Sequence, residues 1–523
     1  MDDDRDRIDE IAVVGGGDSG LLTALALDAG LDRADVFVVD DFEESVPEVG
    51  KSTLFYFAYF LHDFLDIDRN RLITNVKLAW KTTVYFEDWC GVEPFHSPLG
   101  KTLPIVSNPE GTGDGSVGLG DRGADPDYEA EFQEFYHRYR EREFSTIYGE
   151  VAERPGKTPL VLNERGGSSV TQDLPNAAYH FDSTSLNEFL RTLCRERGVR
   201  LVNDRISGVT TSDGRIERVA SDEETYAADL YVDASGFRRV LMSELDNPFD
   251  SFDLPVDSAV VTTTGVPLSE IVSATVVTTG DAGWFWQIDT CDVRDLGYVY
   301  SSDHLSDEAA EREFVETRPE EIDPDDVRRY RFDSGVLETP WLGNCVAVGN
   351  ALGFVEPLQS TALTTIALLA ERLAMLLGKH GRINHEGLRE LYNGSARATW
   401  EEIYDFVSIY YKYSSGSTPF WEDARSINPG EIQQCRSYQD SGFAAPGVRS
   451  NLTRTRTDLN EYYLYYLVLR NLGVESSFNE RLDLEVDPEV VDRVEEYTDG
   501  LPDRVDGYLG YEEFYGSFHP GFD

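Results

Sequence analysis

The stretch that most constrains this chain lies near its start. Ile11-Ala12-Val13-Val14 is a short apolar run with the composition of a buried parallel strand. It leads directly into Gly15-Gly16-Gly17-Asp18-Ser19-Gly20, then into Leu21-Leu22-Thr23-Ala24-Leu25-Ala26-Leu27, whose composition is helical. A second apolar run, Val36-Phe37-Val38-Val39, ends at Asp40, about 20 residues beyond the last glycine. Strand, glycine turn, helix, strand and acid stand in the order that a dinucleotide-binding βαβ unit requires. Gly15 permits the tight turn, Gly17 lets backbone approach a pyrophosphate, and Gly20 lets helix and strand pack closely. The helix start offers free N–H groups and a partial positive charge to the phosphates, and Asp40 can accept hydrogen bonds from a ribose diol. The plainer alternative is a purely structural glycine turn.

Charge narrows the range of partners. The 523 residues carry 97 Asp and Glu against 46 Lys and Arg, a formal net charge of −51. A polyanion of that size repels phosphate backbones and anionic lipid surfaces, so neither nucleic acid nor membrane is an expected partner. The acid is spread along the whole chain, and only seven of the positive residues are Lys. That pattern suggests a salt-loving organism, a halophilic archaeon, whose molar salt screens the self-repulsion; an ordinary acidic enzyme is the alternative. Cys90, Cys194, Cys291, Cys345 and Cys435 form no CxxC motif or Cys/His cluster, so no metal site and no disulfide framework is expected. The most apolar stretch, Ser52 to Ile67, is interrupted by His62 and Asp63 and is shorter than the roughly 18 residues of a membrane span. With no signal peptide at Met1-Asp2-Asp3-Asp4-Arg5, a cytoplasmic monomer or homodimer is expected.

The organisation is that of a mixed α/β protein. Residues 1–107, 178–240 and 335–395 read as a discontinuous Rossmann-like dinucleotide domain, and 108–177 as an insertion with a Gly/Asp-rich loop from Asn108 to Pro126. Residues 241–334 read as a β-rich substrate region, with an antiparallel sheet over 255–301 rich in Val, Thr and aromatics. Residues 396–523 read as a mainly helical C-terminal cap. Within this frame Ser183 to Arg197 is an amphipathic helix with Ser183 or Ser185 near its cap, Cys345 to Gly349 a buried strand, and Ser360 to Gly378 a long buried helix. No second glycine fingerprint is visible, so one dinucleotide is bound.

Later motifs choose among dinucleotides. Asp229-Leu230-Tyr231-Val232-Asp233-Ala234-Ser235-Gly236 resembles the mid-chain strand and turn of FAD-dependent monooxygenases. Val348-Gly349-Asn350-Ala351 resembles their later FAD motif, with Asn350 where Asp is usual. Four further segments resemble the flavin-dependent halogenases of the tryptophan halogenase family. Val49-Gly50-Lys51-Ser52-Thr53 stands where the family has Val-Gly-Glu-Ala-Thr, and Lys81 follows Trp80 in a segment similar to that around the family's catalytic lysine. Gly283-Trp284-Phe285-Trp286-Gln287-Ile288 resembles the family's Gly-Trp-x-Trp-x-Ile-Pro signature, with Asp289 in place of Pro. Phe354-Val355-Glu356-Pro357-Leu358-Gln359-Ser360-Thr361 resembles its Glu-Pro-Leu-Glu-Ser-Thr stretch, with Gln359 in place of the second Glu. Weaker matches are Tyr179-His180-Phe181-Asp182, Asp405-Phe406-Val407 and Thr418-Pro419-Phe420-Trp421.

The resemblance implies a two-component halogenase. FAD, reduced by a separate flavin reductase, would combine with oxygen and chloride or bromide to give hypohalous acid, which a lysine guides to a small electron-rich aromatic, tryptophan-like or other. Lys81, Gln359 and Ser360 are then the candidate catalytic residues. Gly15, Gly17, Ser19, Gly20, Asp40, Gly50, Lys51, Ser52, Gly236, Gly349, Asn350 and Thr361 are the candidate cofactor residues. Trp284, Trp286, Phe354, Glu356 and Pro357 are the candidates to line the tunnel between flavin and substrate. Residue chemistry supports two of these roles. In a chain that places Arg at nearly every positive position, a Lys between Trp80 and apolar β-residues is singled out, and burial would lower its pKa; the alternative is an exposed lysine on a strand edge. Trp284 and Trp286 lie two apart on a strand and so share a face, as tunnel wall or as ordinary aromatic core. Ser360 reads as a helix cap as much as a site residue, and Lys77 as a surface lysine. The alternatives in function are a non-halogenating FAD-dependent oxidoreductase on the same scaffold and a catalytically silent FAD-binding protein.

Overall fold

The computed structural model describes residues 7–32, 34–43, 50–98, 146–162, 170–174, 177–318, 322–427, 435–436, 439, 460–475 and 488–518. The Asn108 to Pro126 loop lies outside these residues. The apolar runs read from the sequence assemble into a six-stranded sheet in the order Arg200–Asn203, Asp35–Asp40, Glu10–Val14, Leu230–Asp233, Cys345–Ala347 and Trp341–Leu342. All pairings are parallel except the last. Parallel strands are covered on both faces, which is why Ile11, Ala12, Val13, Phe37, Val38, Leu230 and Val232 are all buried without alternation. The helices Asp18–Gly30 and Ala362–Lys379 pack on this sheet and approach each other so closely that a Cβ on Gly30 would lie 2.8 Å from the Cβ of Ala374.

A seven-stranded sheet forms a second layer. Its order is Arg328–Arg331, Ser258–Gly265, Val293–Tyr300, Gly283–Asp289, Ala274–Gly280, Thr83–Phe86 and Phe95–Pro98. The Val- and Thr-rich alternation of 258–300 produces the antiparallel part of it, as the sequence leads one to expect. Thr83–Phe86 and Phe95–Pro98 extend this sheet rather than the parallel one, with Thr83–Phe86 joining Ala274–Gly280 in parallel. A small three-stranded sheet, Lys51–Ser52, Ala178–Phe181 and Leu78–Lys81, bridges the layers. The helix Ser183–Arg197 has the expected bounds, but its cap is Asp182, whose carboxylate accepts from Ser185 N, rather than either serine. Beyond residue 385 the described chain is helical: Glu386–Lys412, Pro419–Ala424, Asn460–Asn471, Pro488–Asp506 and Tyr511–Phe518. Tyr465, in the run Tyr462-Tyr463-Leu464-Tyr465-Tyr466, is buried against Phe406 with ring centroids 4.9 Å apart.

Candidate active site

The glycine turn forms an open cradle. Gly15 has φ +115°, and a Cβ there would lie 2.4 Å from the carbonyl oxygen of Ala234. Gly20 presses on the same turn, 1.9 Å from Gly15 O by the same measure. At Gly17, by contrast, a Cβ would meet nothing within 4 Å. The helix that starts here has no side-chain cap, so its first N–H groups are left for a ligand. Asp40 Oδ2 accepts from Gly16 N at 2.7 Å, and the acid also lines a pocket with Val14, Gly15, Val39, Ser235 and Arg238. On the far side, buried Asp233 accepts from Ser235 N and Oγ, Leu241 N and Met242 N, at 2.6–3.1 Å, and so fixes the turn through Gly236. Gly349 adopts φ +57° and stands where a Cβ would be 2.7 Å from Ser19, so the turn bearing Asn350 lies against the helix start. A recess with bare amides and glycine at its closest points fits a dinucleotide.

Lys81 ends the strand Leu78–Lys81 and is fully buried. Among the described residues its Nζ has no hydrogen-bond partner. Burial alone holds its pKa well below the usual lysine range. His180 is buried beside it, its pKa pushed down to about 3 by burial and then by the lysine's charge. Its neutral ring is oriented by its partners. Nδ1 faces the Asp289 carbonyl at 3.1 Å, which only accepts, so Nδ1 carries the proton. Nε2 then accepts from Thr275 Oγ1 at 3.0 Å, and Ser52 Oγ donates to Thr275 Oγ1 at 3.0 Å. Ser52 and the half-buried Lys51 are thereby tied to the seven-stranded sheet. Gly50 sits on Asp295, where a Cβ would be 2.4 Å from Oδ2. Asp289, in the place of the family's proline, is satisfied by Arg294 at 2.8 and 2.9 Å and by Val272 N at 2.9 Å. Lys77 lies at the surface and pairs with Asp292 at 2.8 Å.

The tryptophans share a face, as their spacing predicts. Trp284 pairs with Thr279 and Trp286 with Val277, while Val277 pairs in turn with Phe86. Thr275 lies two residues before Val277 and so on the same face. The tryptophan pair therefore looks into the layer that holds Thr275, His180 and Lys81. Phe285 points the other way, into a separate cluster. Trp284 Nε1 donates to Glu356 Oε2 at 3.1 Å and to Tyr411 Oη at 3.0 Å. Trp286 lies across Gly297, where a Cβ would come within 2.3 Å of its ring.

The Phe354–Thr361 segment departs from expectation at several points. Gln359 donates to Tyr410 Oη at 2.6 Å, a tyrosine that no motif marks. Ser360 is not a helix cap. The helix starts at Ala362 with Thr361 at its N-cap and no side-chain cap bond, and Ser360 is left-handed with φ +56°. Its N–H closes a turn onto Pro357 O at 2.9 Å, and this tight reversal leaves no extended residue at which Ser360 could cap. Pro357 is exposed rather than part of the wall, and Phe354 packs edge-on to Phe237 and Phe332. Glu356 is buried and is the group that joins this segment to Trp284.

Burial pushes the Glu356 carboxyl up to about 8 and the Asp295 carboxyl up to about 7. Both bind a proton more tightly folded than unfolded. Their contribution is therefore full below the ordinary range near 4 and is lost as pH rises toward 7–8. Glu356→Gln keeps an acceptor for Trp284 but cannot ionise. It is expected to flatten the fall in urea midpoint between pH 5 and pH 9; superimposable parent and variant profiles would contradict this.

The sequence alone did not mark Tyr410, Tyr411, Thr275 or Asp295. Comparison with known proteins agrees with this geometry. The tryptophan halogenase family model matches residues 10–484. Tryptophan 6-halogenase SttH of Streptomyces toxytricini is 30% identical over 444 residues, covering 80% of this chain and 81% of that protein. Tryptophan 7-halogenase RebH of Lentzea aerocolonigenes is 27% identical over 519 residues, covering 90% of each. Among solved structures, the lanthipeptide tryptophan 5-halogenase MibH superposes with a TM-score of 0.77 at 28% identity, over 99% of this chain and 95% of that one. The chain thus belongs to the tryptophan halogenase family of flavin-dependent halogenating enzymes.

Proposed function

We propose that this chain halogenates a small electron-rich aromatic, tryptophan-like or other, with FAD delivered in reduced form by a separate flavin reductase. Bound FAD supplies, with oxygen and chloride or bromide, the oxidised halogen. The protein's residues do the rest. The Gly15–Gly20 turn and the helix start hold the pyrophosphate, Asp40 the ribose, and the turns at Gly236 and Gly349–Asn350 close on the remainder. The turn at the left-handed Ser360 leads into the uncapped helix start at Thr361, whose first N–H groups face the halide. Trp284 and Trp286 keep water and substrate away from the flavin. Lys81 receives the electrophile and presents it to one carbon of the ring. The observation that carries this reading is its buried amine, which among the described residues has no hydrogen-bond partner and whose pKa is lowered by burial alone. Such a site favours the neutral amine, a group that can take or guide an electrophilic halogen.

The test is mass spectrometry of products from purified chain, flavin reductase, NADH, FAD and bromide or chloride. It is run with a panel of electron-rich aromatics at molar salt, the condition that a net charge of −51 favours. Halogenated product that appears only with both halide and reductase is expected. Hydroxylated product without halogen would favour a second reading, a non-halogenating flavin oxidoreductase on the same scaffold. One observation speaks for that second reading: Gln359 is engaged by Tyr410 at 2.6 Å and carries no charge to assist the lysine.

A further inference from the structure

The strand that carries Lys81 has two edges. One pairs with Ala178–Phe181, with Trp80 opposite Tyr179 and Lys81 opposite Ala178. The outward N–H groups on the other edge meet hydroxyls from the helix Tyr511–Phe518, which lies beyond the residues matched by the family model. Trp80 N donates to Tyr511 Oη at 2.9 Å, and Leu78 N to Tyr515 Oη at 3.4 Å. The Tyr515 hydroxyl in turn donates to Leu78 O. On the other side of the lysine, Thr82 N donates to Ser273 O at 2.9 Å, and Thr82 Oγ1 lies between the acceptors Ser273 O at 2.9 Å and Tyr148 O at 2.8 Å.

Tyr511 and Ser273 also meet each other. Ser273 Oγ donates to Lys157 O at 2.9 Å, so the Tyr511 hydroxyl donates to Ser273 Oγ at 3.0 Å. Trp80, Lys81, Thr82, Ser273 and Tyr511 are all fully buried. The residues before and after Lys81 are thus gripped by one continuous hydrogen-bonded bracket. Among the described residues the amine itself has no hydrogen-bond partner to hold it, so its position depends on where the backbone delivers it.

We infer that Tyr511 is a positioning residue for Lys81, acting with Ser273 through the backbone of Trp80 and Thr82. The inference rests on the reading of Lys81 as the residue that guides the halogen. A misplacement of about 1 Å in such a group can cost roughly a hundredfold, and loss of one hydroxyl from the bracket displaces the strand by less than that.

The test is Tyr511→Phe, with Tyr508→Phe as the control that removes another hydroxyl of the same segment, the one bonded to Asp173. Three quantities are read on the full chain: exchange of the Trp80 amide, affinity for FAD, and halogenated product per oxygen consumed. Tyr511→Phe is expected to speed Trp80 exchange and lower the product-to-oxygen ratio roughly tenfold, with FAD affinity unchanged. Tyr508→Phe should alter neither exchange nor ratio. Ser273→Ala removes the acceptor of the Tyr511 hydroxyl and should lower the ratio as well, with the double variant no worse than the worse single one. It takes the place of Tyr511→Phe if that variant does not fold. A parental product ratio in both single variants overturns the inference. Parental halogenation by Lys81→Ala would instead overturn the reading beneath it, and accelerated Trp80 exchange in Tyr511→Phe would still distinguish that failure from a missing bracket.

Discussion

Lys81→Ala is expected to cut halogen transfer to an aromatic ring by roughly 10²–10⁴-fold, the range associated with a well-placed acid–base group, while oxygen is still consumed. The separation follows from where the parts lie. The glycine cradle and the Ser360 turn belong to other elements than the lysine's strand Leu78–Lys81, so flavin binding and oxygen reduction are expected to survive its loss. The variant should not unfold either. It removes a buried amine that has no hydrogen-bond partner among the described residues and whose charged form burial disfavours. Lys81→Arg should be nearly as inactive, since guanidinium stays charged, is a poor nucleophile and has a different shape. Lys77→Ala loses an exposed pair with Asp292 and serves as the control. Product mass and oxygen uptake are measured side by side. Halogenation by Lys81→Ala at the parental rate would remove this lysine from the mechanism.

Gly17→Val should weaken FAD binding about a hundredfold or more, about 2.7 kcal/mol, with little change in melting temperature. The two halves of this prediction come from one observation. A Cβ at Gly17 meets no protein atom within 4 Å, and the residue has φ −71° and ψ 178°, which valine adopts without strain. The new side chain therefore occupies only the space that the pyrophosphate needs. Gly20→Ala makes the contrast. Its Cβ would collide with the backbone oxygen of Gly15, so it should damage the fold itself. Isothermal titration together with thermal unfolding separates the two effects. Parental FAD affinity in Gly17→Val would place the cofactor elsewhere.

What could be read in the sequence was what neighbouring residues decide together. The βαβ unit was legible because strand, turn, helix and acid are consecutive. The shared face of Trp284 and Trp286 follows from the two-residue period of a strand, and Lys81 stood out as one of seven lysines in a chain that mostly places arginine. The hydrogen-bond partners that define the site were not legible. Gln359 meets Tyr410 across 51 residues and Ser273 meets Tyr511 across 238, distances over which no local pattern reports. Ser360 was misread for a different reason. A serine before a helical run ordinarily caps it, but the turn closing on Pro357 O forces this one into a left-handed conformation and moves the helix start onward. At Asp182 and Ser183 two capping types stand side by side, and the register of the preceding strand, not composition, decides between them.

The seven-stranded sheet has an evolutionary consequence. Thr83, two residues past the lysine, begins a strand that pairs directly with Ala274–Gly280, which pairs directly with the tryptophan strand. On the proposed reading, the interval between the strand that follows the lysine and the tryptophan strand is a count of hydrogen-bonded strands, each about 4.8 Å from the next. A ruler of that kind cannot be lengthened by drift in side chains; it changes only by whole strands. Diversification toward larger or smaller acceptors must therefore act on the helices stacked over the sheet. A chimera that borrows those helices from a relative should inherit that relative's acceptor range, provided the graft brings a hydroxyl to the place of Tyr511.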